Sequence, residues 1–289
     1  MRAESIAKAH AFHAVGPVWW PEWSMEGSGE LKYVDMMKGD VLTVRDENVE
    51  RVHVGKVAAV LRPRSLGGAI IAVERGFALA SKNNLSDVQL MRPIWSDDSV
   101  RFNDGCCDPA GNFYCGTMAY DQQQGSASMY LLTTDGMASQ VFSNVTISNG
   151  IGWSPEGKTV YYNDTLTRMI QAFSWEPRTG LSERRPWMKL PDDVKGNPGG
   201  LCVDQEGGVW IALYGGSAVH RYVDGKLSEV VEIPGVTNVT ACTFGGADLQ
   251  TLYITTTREN IVSGEQPLAG AVFSAKPGVA GLPAAPFGA

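Results

Sequence analysis

The feature that most restricts what this chain can fold into is a repeat in its punctuation. A Gly- or Asn-bearing segment leading into a short apolar run recurs at Gly16-Pro17-Val18-Trp19, Asn103-Asp104-Gly105, Ser148-Asn149-Gly150, Pro198-Gly199-Gly200 and Thr240-Ala241-Cys242. Asn103 and Asn149 are 46 residues apart, Asn149 and Gly199 are 50, and Gly199 and Thr240 are 41. A four-stranded propeller blade takes about 40–50 residues. Gly16 and Asn103 are 87 apart, which leaves room for two units, the second weakly marked around Val57 to Leu79. The count is six blades.

The runs between the punctuation are short and rich in β-branched and aromatic residues, as in GAIIAVE, NFYCGTM, TVYYND, GVWIAL and TLYITT. Such runs read as strands. Turn chemistry separates them at Asp108-Pro109-Ala110-Gly111, Ser154-Pro155-Glu156-Gly157 and Asp204-Gln205-Glu206-Gly207, and no segment holds helical period for long. A β-sandwich is the rival all-β architecture, but it does not usually repeat one loop-strand-turn-strand grammar so often. The expected architecture is a single six-bladed β-propeller domain over 1–289, with a short N-terminal lead at 1–13 and a C-terminal tail at 276–289. Its inner strands begin at a central channel, so the repeated polar residues converge on one axial pocket.

Composition narrows the function classes. With 44% hydrophobic and 19% charged residues, the chain carries enough apolar surface for a large core. The net charge of -7 and the lack of any long Lys/Arg run argue against nucleic acid as a partner. No stretch approaches a membrane span and residues 1–15 have no apolar signal region, so a cytoplasmic protein acting on a small molecule is expected. The five cysteines at 106, 107, 115, 202 and 242 form an odd set with no CxxC pair and read as reduced structural thiols, with Cys106 the one nearest a pocket segment.

In order along the chain, GPVWW, RFNDGCCDPAGNFYCGTM, SNGIGWSPEGKTVYYND, PGGLCVDQEGGVWIAL and FGGADLQTLYITT resemble the signatures of the SMP-30, gluconolactonase and luciferin-regenerating-enzyme family, which is regucalcin-like. The likeness runs from about residue 14 to 275. It implies a six-bladed propeller whose axial pocket binds one divalent cation, calcium or zinc, and hydrolyses sugar lactones. The family pattern holds the cation with a Glu before GPVW, the Asn of SNG and an Asp in a Pro-Asp-Gly segment. It contacts substrate through an Arg and an Asn of RFNDG and an acidic residue after GTM. Carried onto this chain, these are Asn149 for the metal, Arg101 and Asn103 for substrate, and Asp121 as the surviving general base.

The other two metal positions do not carry over, because they are occupied by Val15 and Gly199. A hard cation needs oxygen ligands to offset its dehydration, and one neutral Asn carbonyl does not supply them. In the family pattern the missing Asp is also the group that activates water, so Gly199 removes a base together with a ligand. No cofactor is therefore expected, and calcium or zinc would bind only with replacement ligands such as Asn197, Asp192, Asp193, Asp104, Asp164 or Glu22. The Arg101 fork suits a carboxylate or a lactone oxygen. Trp19, of the Trp19-Trp20-Trp23 cluster, is expected to line the pocket and favour an apolar substrate face, and His13, two residues before Val15, to lie at the pocket mouth. The reading that follows is a lactonase-like hydrolase with its metal dependence lost or altered. Alternatives are a metal-dependent sugar lactonase with rearranged ligands, a metal-free isomerase, lyase or cyclase, and a non-catalytic metabolite-binding propeller.

Overall fold

A computed structural model describes residues 1–20, 29–45 and 48–288 of the chain; Glu22 and Trp23 lie outside them. Its strands form six four-stranded antiparallel sheets. Five blades are consecutive in sequence. The innermost strands are Ala14–Trp20 in blade I, Ala58–Pro63 in II, Val100–Cys107 in III, Ser148–Trp153 in IV, Asn197–Val203 in V and Val239–Gly245 in VI. The six-bladed all-β expectation holds, and the weakly marked second blade is complete from Ala58–Pro63 to Gln89–Leu90.

Burial explains why these segments are strands and how they stack. Second strands such as Phe113–Ala119 are buried at every position, because blades cover both of their faces, whereas the outer strand Asn48–His53 is mostly exposed. Phe77 of blade II packs on Phe102 and Phe113 of blade III, and these belong with Leu61, Ile70 and Ile71 to one cluster whose members are almost wholly buried. Each such side chain contributes about 1.5–3 kcal/mol.

The sixth blade is completed by the start of the chain. Glu4–Ser5 pairs antiparallel with Val272–Ala275, so the N-terminal lead supplies an outer strand and closes the ring. Closure removes the exposed edges that an open array would present. The tail is also structural. Gln205 N–H donates to Ala280 O, Gly281 N–H to Leu249 O, Phe287 N–H to Pro63 O and Gly288 N–H to Gly111 O, at 2.8–2.9 Å. Those partners sit at the turns after the inner strands of blades V, VI, II and III, so the tail spans the base of the channel. The axial space is a pit open at the other end.

The turns singled out in the sequence anchor blade bases. Asp204 is fully buried, and its carboxylate accepts from Glu206 N–H, Gly208 N–H, Trp210 Nε1 and the Arg221 guanidinium at 2.7–2.9 Å. Asp108 holds the equivalent turn of blade III through Ala110 N–H and Asn112 N–H. All five cysteines are free thiols, and Cys106 lies outside the lining of the axial cavity.

Candidate functional site

Every innermost strand is irregular near its start. The register breaks fall between Val15 and Val18, Ala58 and Val60, Phe102 and Asp104, Ser148 and Ile151, Pro198 and Leu201, and Val239 and Ala241. A bulge inserts an unpaired residue and re-aims it. Gly16 takes the left-handed conformation that such a break requires, with φ of 57°. Five of the six breaks deliver residues to one place: Gly16, Asn103, Asn149, Gly199 and Thr240 all line an axial cavity of about 380 Å³. The repeated punctuation of the sequence is thus a ring of bulges.

Arg101 is the dominant charge in the cavity wall. Its side chain is 5% exposed, and one terminal nitrogen donates to Asn103 Oδ1 at 2.8 Å, Phe102 O at 3.0 Å and Met36 Sδ at 2.9 Å. The guanidinium also lies 5.7 Å over the Tyr120 ring. No carboxylate of the described residues is within ion-pair distance, its Nε is buried without a partner, and burial pulls its pKa below the ordinary value. A buried cation held only by neutral groups retains strong attraction for negative charge that enters beside it.

Asn103 and Asn149 differ in availability. Asn103 is committed on both sides, accepting from Arg101 and donating to Ser148 O at 2.7 Å, so it ties blade III to blade IV and fixes the guanidinium. Asn149 donates to Thr165 Oγ1 at 3.1 Å, and its Oδ1 accepts from no described residue. It presents an acceptor to the cavity.

The two positions where the resemblance implies carboxylate ligands offer no oxygen side chain. Val15 places an isopropyl group in the cavity wall. At Gly199 an added Cβ would stand 2.6 Å from the Thr240 backbone oxygen, so the packing of blades V and VI excludes any side chain there. Of the replacement ligands, Asp192 and Asp193 are exposed, Asn197 Oδ1 accepts from Arg168, and Asp164 is occupied by Thr146 N–H and Ile147 N–H. Asp104 lines the cavity, with burial pushing its pKa up and Arg62 pulling it down. No group of three or more His, Cys, Asp or Glu side chains converges among the described residues. Among the described residues the donor set does not fit a divalent cation.

Two expected site residues are elsewhere. Asp121 is exposed, and its carboxylate accepts Gln123 N–H in a turn of its own. The strand Phe113–Ala119 ends just before it, and Tyr120 takes the inward position, donating to Glu74 at 2.7 Å. Trp19 is also absent from the cavity lining. It stacks on Tyr253 of blade VI with ring centroids 5.6 Å apart, because the register break between Val15 and Val18 turns it toward the neighbouring blade. His13 does line the cavity, and is 7% exposed.

The residues that sequence reasoning missed share a signal. Met36, Tyr120, Thr165, Tyr214 and Glu259 all line the cavity, and each lies at or just beyond the end of the second strand of its blade. In blades I, III, IV, V and VI the cavity is therefore built from two points, a bulge on the first strand and the exit of the second. The position directly after the second strand, where Tyr120 sits, also marks Met36 and Thr165, whereas Tyr214 ends its strand and Glu259 lies three residues beyond.

A closed ring of bulged inner strands around one polar axial pit defines an axial-pocket β-propeller. The chain belongs to the SMP-30/gluconolactonase/LRE-like family, whose pattern it matches over residues 14–258. It is 33% identical to regucalcin from Danio rerio over 295 residues, covering 98% of this chain and 97% of the relative. It is 34% identical over 296 residues, 99% of each chain, to a Bacillus subtilis (strain 168) protein provisionally named sugar lactone lactonase YvrE. Among solved structures, the calcium-binding protein regucalcin from Agrobacterium tumefaciens superposes with a TM-score of 0.88 at 26% identity, covering 96% of this chain and 94% of that one.

Proposed function

We propose that this protein is a lactone hydrolase whose axial cavity works without the divalent cation usual in its family. The observation that carries this reading is the combination of a preserved Arg101 and Asn149 with a Gly199 position that has no room for a carboxylate. The likeness to a protein named for sugar lactone lactonase activity supports the substrate class. Lactone opening develops negative charge on the carbonyl oxygen. A guanidinium already desolvated and fixed by Asn103 stabilises that charge without having to reorganise. Asn149 Oδ1 accepts a substrate hydroxyl, and the 380 Å³ cavity matches a five- or six-membered sugar lactone.

The test is turnover of a panel of sugar lactones by the wild type and Arg101→Ala. Loss of one preorganised donor lowers kcat by about 10²–10³-fold, and Arg101→Lys recovers little, because a point charge does not reproduce the held fork. Equal turnover by wild type and Arg101→Ala would remove the guanidinium from the chemistry.

A further inference from the structure

We infer that His13 and Glu259 form the proton-transfer pair of this cavity, with His13 Nε2 taking the proton of the attacking water and Glu259 steadying the imidazolium that results. The inference rests on the lactone-hydrolase reading for its reaction, but its geometry stands apart from it. Removing the family's carboxylate at Gly199 and placing Asp121 on the surface leaves the cavity in need of a proton acceptor. The titratable groups in its wall besides Arg101 are His13, Asp104, Tyr120, Tyr214 and Glu259. Tyr120 is tied to Glu74, Tyr214 is bonded to the 259–260 segment, and half-buried Asp104 accepts Gly105 N–H and feels the charge of Arg62.

His13 is held as a base needs to be held. Its backbone N–H donates to Asp35 Oδ1 at 3.0 Å, and His13 pairs with Thr257 in an antiparallel bridge. The hydrogen bonds around Thr257 favour one tautomer. Thr257 Oγ1 accepts Glu259 N–H at 2.9 Å and donates its single proton to Phe12 O at 3.1 Å. With that proton on Phe12 O, which also accepts Arg258 N–H, we assign the 2.9 Å contact between Thr257 Oγ1 and His13 Nδ1 to the imidazole as donor. Nδ1 carries the proton, and the Nε2 lone pair, which meets no partner among the described residues, is left for the cavity. Glu259 Oε2 lies 3.4 Å from the same Nδ1, with its side chain 39% exposed. Its backbone oxygen is clamped by Asn238 Nδ2 at 2.8 Å. Thr257 thus orients the imidazole, and the carboxylate 3.4 Å from Nδ1 stabilises its charged form.

The surrounding charge sets when the base works. Burial first, and then the positive charge of Arg101, bring the His13 pKa from 6.5 down to about 3, so the imidazole is neutral across the working range. Negative charge developing on a lactone oxygen beside Arg101 cancels the second cause. The base strengthens as the transition state forms. In balanced form, water gives a proton to His13 Nε2 while its oxygen bonds to the lactone carbonyl carbon and the carbonyl pair moves onto oxygen. When the pair returns, the ring C–O bond breaks and the departing ring oxygen takes the proton from Nε2. One lactone and one water become one hydroxy acid, and the imidazole is restored.

The pair is tested on the full chain by 15N NMR of the imidazoles, with His13→Asn identifying its signals among those of His10, His13, His53 and His220. A His13 imidazole protonated at Nδ1, and still neutral at pH 5, is expected; an Nε2–H tautomer overturns the proposal without any substrate being needed. In turnover, His13→Ala is expected to lower kcat by about 10²-fold or more with KM little changed and with activity partly restored by added imidazole, while Glu259→Gln lowers kcat by about 10-fold. His13→Gln, with its folding followed by circular dichroism, serves if His13→Ala does not fold. A folded His13 variant with wild-type kcat overturns the pair. A wild type that opens no lactone of the panel while His13 shows the expected tautomer counts against the lactone reading instead.

Discussion

Asp204→Ala lowers stability by about 3–5 kcal/mol, the cost of stranding a buried charge, and lowers Tm by roughly 6–10 °C. Asp204 has no exposed surface and satisfies four donors at once, two backbone N–H groups, the Trp210 indole and Arg221 Nε. Deleting the carboxylate leaves Arg221, itself 6% exposed, with Glu206 and the more distant Glu229 and Ser228 as partners and no acceptor for Nε. It also leaves the indole N–H and two turn amides without acceptors. Asp204→Asn keeps the shape and part of the bonding, so it falls between wild type and Asp204→Ala. Thermal unfolding of the three chains measures the effect; a loss below about 1 kcal/mol, the range of an exposed pair, would contradict the account of the turn.

Gly199→Asp combined with Val15→Glu restores the family's carboxylates in sequence without creating its metal site. The Cβ at position 199 meets the Thr240 carbonyl at 2.6 Å, and that oxygen belongs to backbone that cannot rotate away. Separating the two strands also strains the 2.6 Å bond from Asn163 Nδ2 to Gly199 O. Overpacking and a weakened buried hydrogen bond together cost about 2–4 kcal/mol. Urea unfolding and calcium or zinc titration of the double variant are expected to show a lower midpoint and no tight binding. A variant as stable as wild type that binds either ion tightly would show that the blades can part and that Gly199 is a simple deletion of a ligand.

The fold was legible because a propeller writes its spacing into the chain. Each inner strand carries a bulge near its start, five of the six bulges hold Gly, Asn or Thr, and blades of similar length place those residues at similar intervals. Blade II was faint because its inner strand, Ala58–Pro63, bears no Asn or Gly at the break and contributes no bulge residue to the cavity. The ring closure by Glu4–Ser5 could not be read, since two exposed polar residues carry no strand pattern.

Within the site, legibility failed by single residues. Strand side chains alternate between faces, so an error of one position exchanges an inward group for an outward one. Tyr120 is inward and Asp121 is not, and a bulge between Val15 and Val18 moves Trp19 from the channel to the blade interface. Glu259 follows the second strand of blade VI in a segment without a motif, and only the Thr257 and His13 contacts reveal its place. That Val15 and Gly199 stand where the resemblance implies carboxylates was visible in the sequence; that a Cβ at position 199 would come within 2.6 Å of the Thr240 oxygen was not, because it depends on how closely two blades approach.

The most direct test of the central claim is the rate at which the wild-type protein opens a sugar lactone before and after exhaustive removal of divalent ions by a chelator, with metal content followed in the same samples. The cavity described here predicts an unchanged rate with no stoichiometric metal. A rate abolished by the chelator and restored by calcium or zinc would contradict it.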